Sequence, residues 1–244
     1  MRPRANPSAP VLLALSLPLL MAASAPVQAF DHSKFNGLLA KYVKRGQVDY
    51  SGIKAAAKAE LDQYVGAIAK ANVSGLSKNA RLAFYLNAYN AIVIKAIVDR
   101  LPLASVMKVP GFFKKAQYRV AGKAVTLDQL ENKIIRPQFQ DARIHFALVC
   151  GARSCPPLGS RAFSAGKVDA DLNRLTQRFV AGRGVKVDGD QIKISKLFQW
   201  YAVDFEKAAG SVGKFLAQYR EAEAERLSSA KFGYLKYSWA LNGK

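Results

Sequence analysis

The sequence predicts an α+β fold, predominantly helical around a small and mostly antiparallel sheet, as a single domain over residues 30–244. Three observations carry this prediction. Apolar residues recur at helical spacing along most of the chain, two short strand-forming stretches turn at Ala121-Gly122 and Asp188-Gly189, and no long linker or internal repeat divides the sequence. A chain of that length buries a substantial core.

The first residues have a different character. Arg2 and Arg4 precede the apolar run VLLALSLPLLMAA, and the small-residue site Val27-Gln28-Ala29 follows it. This is the pattern of a signal peptide over residues 1–29, cleaved before Phe30. The run is short for a bilayer span and contains Ser16 and Pro18, so no transmembrane anchor is expected after cleavage and the mature protein is expected to be periplasmic or secreted. The leader carries two basic residues and no acidic one, so its removal takes the formal net charge from +20 to +18. That excess favours an anionic envelope component or an anionic small substrate, although a basic surface also serves solubility alone. No recognition motif points to a specific nucleic acid.

Each element has its own signal. Phe35, Leu38, Leu39, Tyr42 and Val43 share one helical face, with a stop at Gly46; QVDYSGI reads as extended, and Ile53, Leu61, Tyr64, Val65 and Ile68 mark a second amphipathic segment. Ser77 caps a third helix, apolar nearly all round and therefore central, which Pro102 ends. QYRVAGKAV is a hairpin, and Thr126 with Gln129 forms a capping box for LDQLENKII, closed by Pro137. ARIHFALV reads as a buried central strand. Val168, Leu172, Leu175 and Phe179 mark another helix, GVKVDGDQIKIS a hairpin, Ser195 the cap of a helix over SKLFQWYAVDF, Ser211 the start of a last long helix, and FGYLKYSWAL a final strand.

The chemistry gathers in IHFALVCGARSCPPLG, which holds both cysteines and His145, one of two histidines. In a strand, His145 and Cys150 lie about 16 Å apart at roughly 3.3 Å per residue, so they form no dyad unless the strand breaks. Gly151 allows a reversal that returns Cys155 toward Cys150 or toward His145, and Pro156 and Pro157 hold it extended. Three readings stay open. Cys155 or Cys150 is a nucleophile with His145 as base, backbone N–H groups of Gly151 to Ser154 receive an oxyanion, and Arg153 holds an anionic substrate group. Alternatively, Cys150 and Cys155 form a disulfide in an oxidising compartment. A metal site is the weakest, because the chain lacks a ligand-spacing signature and its other histidine, His32, lies at the frayed mature N-terminus. Neither a metal nor a cofactor is expected.

Polar residues inside apolar stretches are the second signal. Asn87 and Asn90 fall in the central helix, where a buried amide either locks a neighbouring segment or lines a pocket. Glu131 and Asp204 are carboxylates that orient a histidine or pair with Arg136 or Arg143. Trp200, Tyr201 and Trp239 are core or pocket wall.

In order, AFYLNAYNAIVI, TLDQLENKIIRPQF, ARIHFALVCGARSCPPL, KISKLFQWYAVDF and YLKYSWALN resemble the bacterial branch of the domain of unknown function 547 family, from QVDYSGIK to the C-terminus. The resemblance implies no assigned reaction. It does imply that Asn87, Asn90, Glu131, Asn132, His145, Cys150, Gly151, Ser154, Cys155 and Pro156 occupy family motif positions. Plant members often carry Ser for the second cysteine, which implies more than a disulfide for this stretch. The family's terminal motif commonly reads Y-D-W-S-L-N, and Ser238 stands here at the Asp position.

The expected function is a cysteine-dependent hydrolase or acyl/peptidyl transferase. Its nucleophile is Cys155 or alternatively Cys150, with His145 as base, Glu131 as orienting carboxylate and Asn87 as polarising donor, while Asn90, Arg153 and Ser154 bind substrate. The contrasting expectation is a non-catalytic basic binding or adaptor protein with a structural Cys150–Cys155 disulfide.

Overall fold

Helix α1 (Ser33–Tyr42) buries the apolar face read from the sequence, and Phe35 stacks on Tyr64 of α3 (Lys58–Lys70) at 4.9 Å between ring centroids. The structure is a computed structural model that describes residues 29–244; the expected signal peptide, except for Ala29, lies outside the described residues. Between α1 and α3 the chain makes a two-residue turn at Arg45-Gly46 joining β1 (Val43–Lys44) to β2 (Gln47–Val48), then enters α2 (Tyr50–Ala56). The extended reading of QVDYSGI thus holds only for its first two residues. The Asp49 carboxylate accepts the Gly52 N–H and starts a helix there. His32 is ordered rather than frayed: its ring packs near Phe30 and Phe84, its Nδ1 lies 2.6 Å from the Tyr64 hydroxyl, and burial pushes its pKa down to about 4.

Helix α4 (Lys78–Val98) is the axis of the domain. Ser77 caps it, and every residue from Leu82 to Val98 except Lys95 is buried, because α2, α3 and later elements pack around it. Lys95 reaches Asp62 and Asp99 at the periphery.

The hairpin of β3 (Gln117–Val120) and β4 (Lys123–Thr126) turns at Ala121-Gly122, both at positive φ. The Thr126–Gln129 capping box then opens α5 (Leu127–Gln129) as read from the sequence. Pro137 does not close this helix. The chain widens into a π-helical stretch over Leu130–Ile135 and continues as α6 (Arg136–Phe139), with the Arg136 N–H bonding to the Glu131 carbonyl. A proline has no N–H to give the preceding turn, so the widened register absorbs it while directing Glu131 inward.

The largest departure is ARIHFALV. Ala142–Phe146 forms a 3-10 turn, started by the Asp141 side chain accepting the Arg143 N–H, and among the described residues the segment pairs with no strand. Asn90 supplies what a neighbouring strand would have supplied: its amide donates to Ala147 O and accepts from Val149 N–H, both at 2.9 Å. Asn87 makes the same double bond to the N–H and C=O of Phe163. Both asparagines are locks between α4 and irregular chain.

Beyond the cysteines lie α7 (Val168–Ala181), the hairpin of β5 (Val185–Asp188) and β6 (Gln191–Ile194), and two short helices, α8 (Leu197–Trp200) and α9 (Ala202–Ala209). Two more follow, α10 (Val212–Ala217) and α11 (Ala224–Ser229). Asp188 pairs with Gln191, which moves the predicted turn one residue on, to Gly189-Asp190. The cap position of α8 is Lys196 rather than Ser195, whose Oγ accepts the Leu197 N–H from one residue further back, and the helix over SKLFQWYAVDF breaks at Tyr201. Ser211 opens α10, which is short because a 3-10 turn at Glu221–Glu223 interrupts the run. Phe146 sits at the hub of an aromatic core, 5.3 Å from Phe179 and 5.9 Å from Phe205.

The predicted final strand is real over β7 (Phe232–Tyr234), which joins β6 in parallel. The remaining residues form a strap. It bridges Ala152 through Leu241 and Ser105 through Ala240, and the Tyr50 hydroxyl donates to the Asn242 side chain at 2.6 Å. The result is an α+β single domain with small, mostly antiparallel sheets. No described helix is long and apolar enough to cross a membrane.

Asn90→Ala leaves a buried N–H and a buried C=O without partners, each costing about 1–3 kcal/mol. Urea unfolding is expected to show a loss of about 2–6 kcal/mol with an unchanged m value.

Candidate active site

The 3-10 turn places His145 against Tyr201, ring on ring at 3.8 Å between centroids, with the histidine 3% exposed. Its two nitrogens have different surroundings. Nε2 lies 2.8 Å from Asp204 Oδ2 on α9, whereas Nδ1 is buried, has no hydrogen-bond partner and stands 4.0 Å from Glu131 Oε1. Asp204 also takes a two-pronged bond from Arg136, at 2.8 and 2.9 Å. Arg136 in turn donates to Asn132 and lies over the Tyr201 ring. The hydrogen bond from His145 first, then the Arg136 guanidinium, holds the Asp204 carboxyl well below the usual carboxylate range. Asp204 is therefore an acceptor, Nε2 carries the proton, and in the neutral ring Nδ1 is the basic nitrogen.

The expected orienting role of Glu131 thus belongs to Asp204, because a hydrogen bond at 2.8 Å fixes a ring and a 4.0 Å approach does not. Glu131 is buried on the π-helical stretch. Burial, then the neighbouring Glu131 charge, raises the pKa of both Tyr89 and Tyr201, so the two phenols stay protonated beside it.

His145, Glu131, Cys150 and Cys155 line one cavity of about 210 Å³, with Tyr89, Tyr201 and Tyr237. Trp200 and Trp239 complete its wall, as the wall reading of these residues had it. The separation expected for a strand no longer applies, because His145 lies in a 3-10 turn that ends at Phe146, Leu148–Cys150 is irregular, and His145 and Cys150 line the same cavity.

Cys150 and Cys155 form a disulfide, with Cα atoms 6.3 Å apart. No free thiol is present in this state, so neither cysteine is a ready nucleophile. Cys155 is 3% exposed and Cys150 is half-buried, with its Sγ 3.5 Å from the Tyr237 hydroxyl. The Cys150 N–H donates to Cys155 Sγ at 3.0 Å. Gly151 makes the predicted reversal at φ +81°, and a Cβ there would meet Ile97 of α4 at 2.6 Å.

The other predicted residues divide. Asn87 and Asn90 spend their amides on backbone, so neither is placed as a polarising donor or substrate ligand. Of the N–H groups from Gly151 to Ser154 expected to receive an oxyanion, those of Arg153 and Ser154 are bonded to Ala240 and Ser238, which leaves these two unavailable. The Arg153 and Ser154 side chains line an adjoining cleft instead. Ser238 meets Ser154 through its main chain, accepting from Ser154 N–H and donating to Ser154 Oγ, so this contact needs no carboxylate at position 238. Among the described residues, no group of three or more His, Cys, Asp and Glu is disposed to hold a metal ion.

Tyr89, Tyr237 and Arg183 were not singled out from the sequence. Tyr89 directly precedes Asn90 in the central helix, a signal that was readable; Arg183 and Tyr237 carry none, since only folding brings them to the loop, where Arg183 donates to the carbonyls of Arg153 and Cys155.

An α+β domain with a histidine–carboxylate pair and a disulfide in one cavity is what fold and site define. Residues 73–180 match the model of a family described as "Protein of unknown function, DUF547". The matched span holds the asparagine helix, the Glu131 segment and the cysteine loop, while Asp204 and Tyr237 lie beyond it. No curated protein and no solved structure matches the chain.

A carboxyl depressed in the folded state contributes stability that is present above its unfolded pKa, about 3.9 for aspartate, and lost as pH falls through the folded value. Asp204→Asn is expected to lower stability at neutral pH and to flatten its acid dependence, the two proteins converging below about pH 4 in urea titrations. A gap that stays constant down to about pH 2 would show that the carboxylate's charge contributes nothing.

Proposed function

We propose that the protein is an exported cysteine-dependent hydrolase or acyl/peptidyl transferase acting on an envelope substrate, closed as the disulfide and competent once reduced. The observation that carries this reading is His145: a buried ring that Asp204 orients through Nε2, with an unpartnered Nδ1, in a residue that lines the same cavity as Cys150 and Cys155. The leader-like N-terminus and the resemblance to the bacterial branch of the family support export, and the basic composition supports an anionic partner.

A dithiol or small-thiol reductant supplies two electrons and two protons, opening the disulfide into two thiols. Cys150, the more exposed of the two cysteines, gives its proton to His145 Nδ1, and its thiolate attacks a carbonyl carbon. Tyr237, held protonated by burial and 3.5 Å from that sulfur, donates to the oxyanion in place of the Arg153 and Ser154 amides, which are occupied. The imidazolium returns the proton to the leaving group, and water or an amine releases the acyl group from sulfur. The Asp204 carboxylate stabilises the imidazolium while it exists.

A second reading has its own support. The loop is tied by Arg183, by Ser238 and by the bridge from Ala152 to Leu241, as befits a structural disulfide in a binding protein. Alkylation separates the two. After phosphine reduction, iodoacetamide is expected to modify Cys150 faster than an ordinary thiol at neutral pH, and His145→Gln to slow it about tenfold, one unit of thiol pKa. Circular dichroism verifies that the variant is folded. Equal rates in wild type and variant, matching a free thiol of pKa about 8.5, overturn the catalytic reading.

A further inference from the structure

Tyr237 lines two hollows, the His145 cavity and a neighbouring cleft of about 450 Å³. Arg153, Arg183, Lys196 and Lys236 wall this cleft, with Ser154 and Ser195, and no carboxylate lines it. Elsewhere three arginines packed at the core's edge are matched by acids: Arg136 by Asp204, Arg143 by Asp141 and Asp169, Arg220 by Glu223. Here four cations converge with no counter-charge among the described residues, and like charges held together repel until an anion enters.

Two of the four are braced. Arg183 donates to the carbonyls of Arg153 and Cys155, the latter at 2.7 Å, and the Arg153 N–H is fixed on Ala240 O at 2.7 Å. The cations are thereby tied to the disulfide loop. An anion among them lies one aromatic ring from the cysteine sulfur, because the Tyr237 hydroxyl is 3.5 Å from Cys150 Sγ.

We propose that this cleft binds the anionic group, a phosphate or a carboxylate, of the molecule whose reacting end enters the His145 cavity. As an anion site it stands alone; as a substrate subsite it rests on the catalytic reading of that cavity. The substrate class is then an acyl compound bearing a fixed negative group near its reacting carbonyl.

Trp200 and Trp239 are the only tryptophans, and both pack on Tyr237 at 4.8 Å between ring centroids, so their fluorescence reports on this junction. The oxidised full chain is titrated with inorganic phosphate and, separately, with succinate at constant ionic strength. A saturable change with either anion is expected, and the stronger binder identifies the group. Arg153→Ser with Lys236→Ser, both exposed positions, is expected to weaken it at least about tenfold. Arg161→Ser with Arg178→Ser removes equal charge from a separate basic cleft and is expected to leave binding unchanged. No saturable change with either anion, or equal weakening by the two double variants, overturns the proposal. The titration uses the closed disulfide, so saturable binding together with ordinary thiol reactivity removes the reaction and keeps the anion site.

Discussion

The Asn90 carboxamide is the constraint on which the site depends. A segment as apolar as ARIHFALV must satisfy its backbone when buried, and a β-strand is the common way to do so. Here one side chain on α4 does the pairing, donating to Ala147 and accepting from Val149. The segment is thereby released from extended geometry. His145 turns beneath Tyr201, Phe146 enters the aromatic core, and Cys150 arrives at the cavity in which His145 also ends.

Two further constraints act on what Asn90 has placed. The Asp204–Arg136 pair sets the imidazole tautomer, because a carboxylate so firmly ionised accepts a hydrogen bond and does not give one. The C-terminal strap and Arg183 fix the cysteine loop from the opposite end of the sequence. Each joins residues far apart in the chain: His145 to Asp204, Ser154 to Ser238, Tyr50 to Asn242. The cavity is thus a tertiary construction, to which local irregularities contribute: the widened helical register over Leu130–Ile135 that carries Glu131, the 3-10 turn that carries His145 and the reversal at Gly151.

What was legible in the sequence follows from the same physics. The caps at Ser77, Ser211 and Thr126 with Gln129, and the turn at Ala121-Gly122, depend on a few adjacent residues and were readable. ARIHFALV was misread because its backbone partner is a side chain more than fifty residues away, which no local pattern announces. Pro137 failed as a stop because the helix changed register ahead of it. At the site, the gathering of His145, Glu131 and the cysteines was legible from rarity and clustering. The exchange of Glu131 for Asp204 as the orienting group was not, because both carboxylates fitted the pattern and only distance distinguishes them.

The histidine tautomer tests this picture most directly. With only His32 and His145 in the chain, nitrogen-15 NMR of the imidazoles in mildly alkaline solution is assignable by a single His32 variant. For His145, a protonated Nε2 and an unprotonated Nδ1 are predicted, with Asp204→Asn disturbing that distribution. A proton residing on Nδ1 in the wild-type protein would contradict it, since the unpartnered nitrogen of His145 would then have no lone pair to receive a cysteine proton.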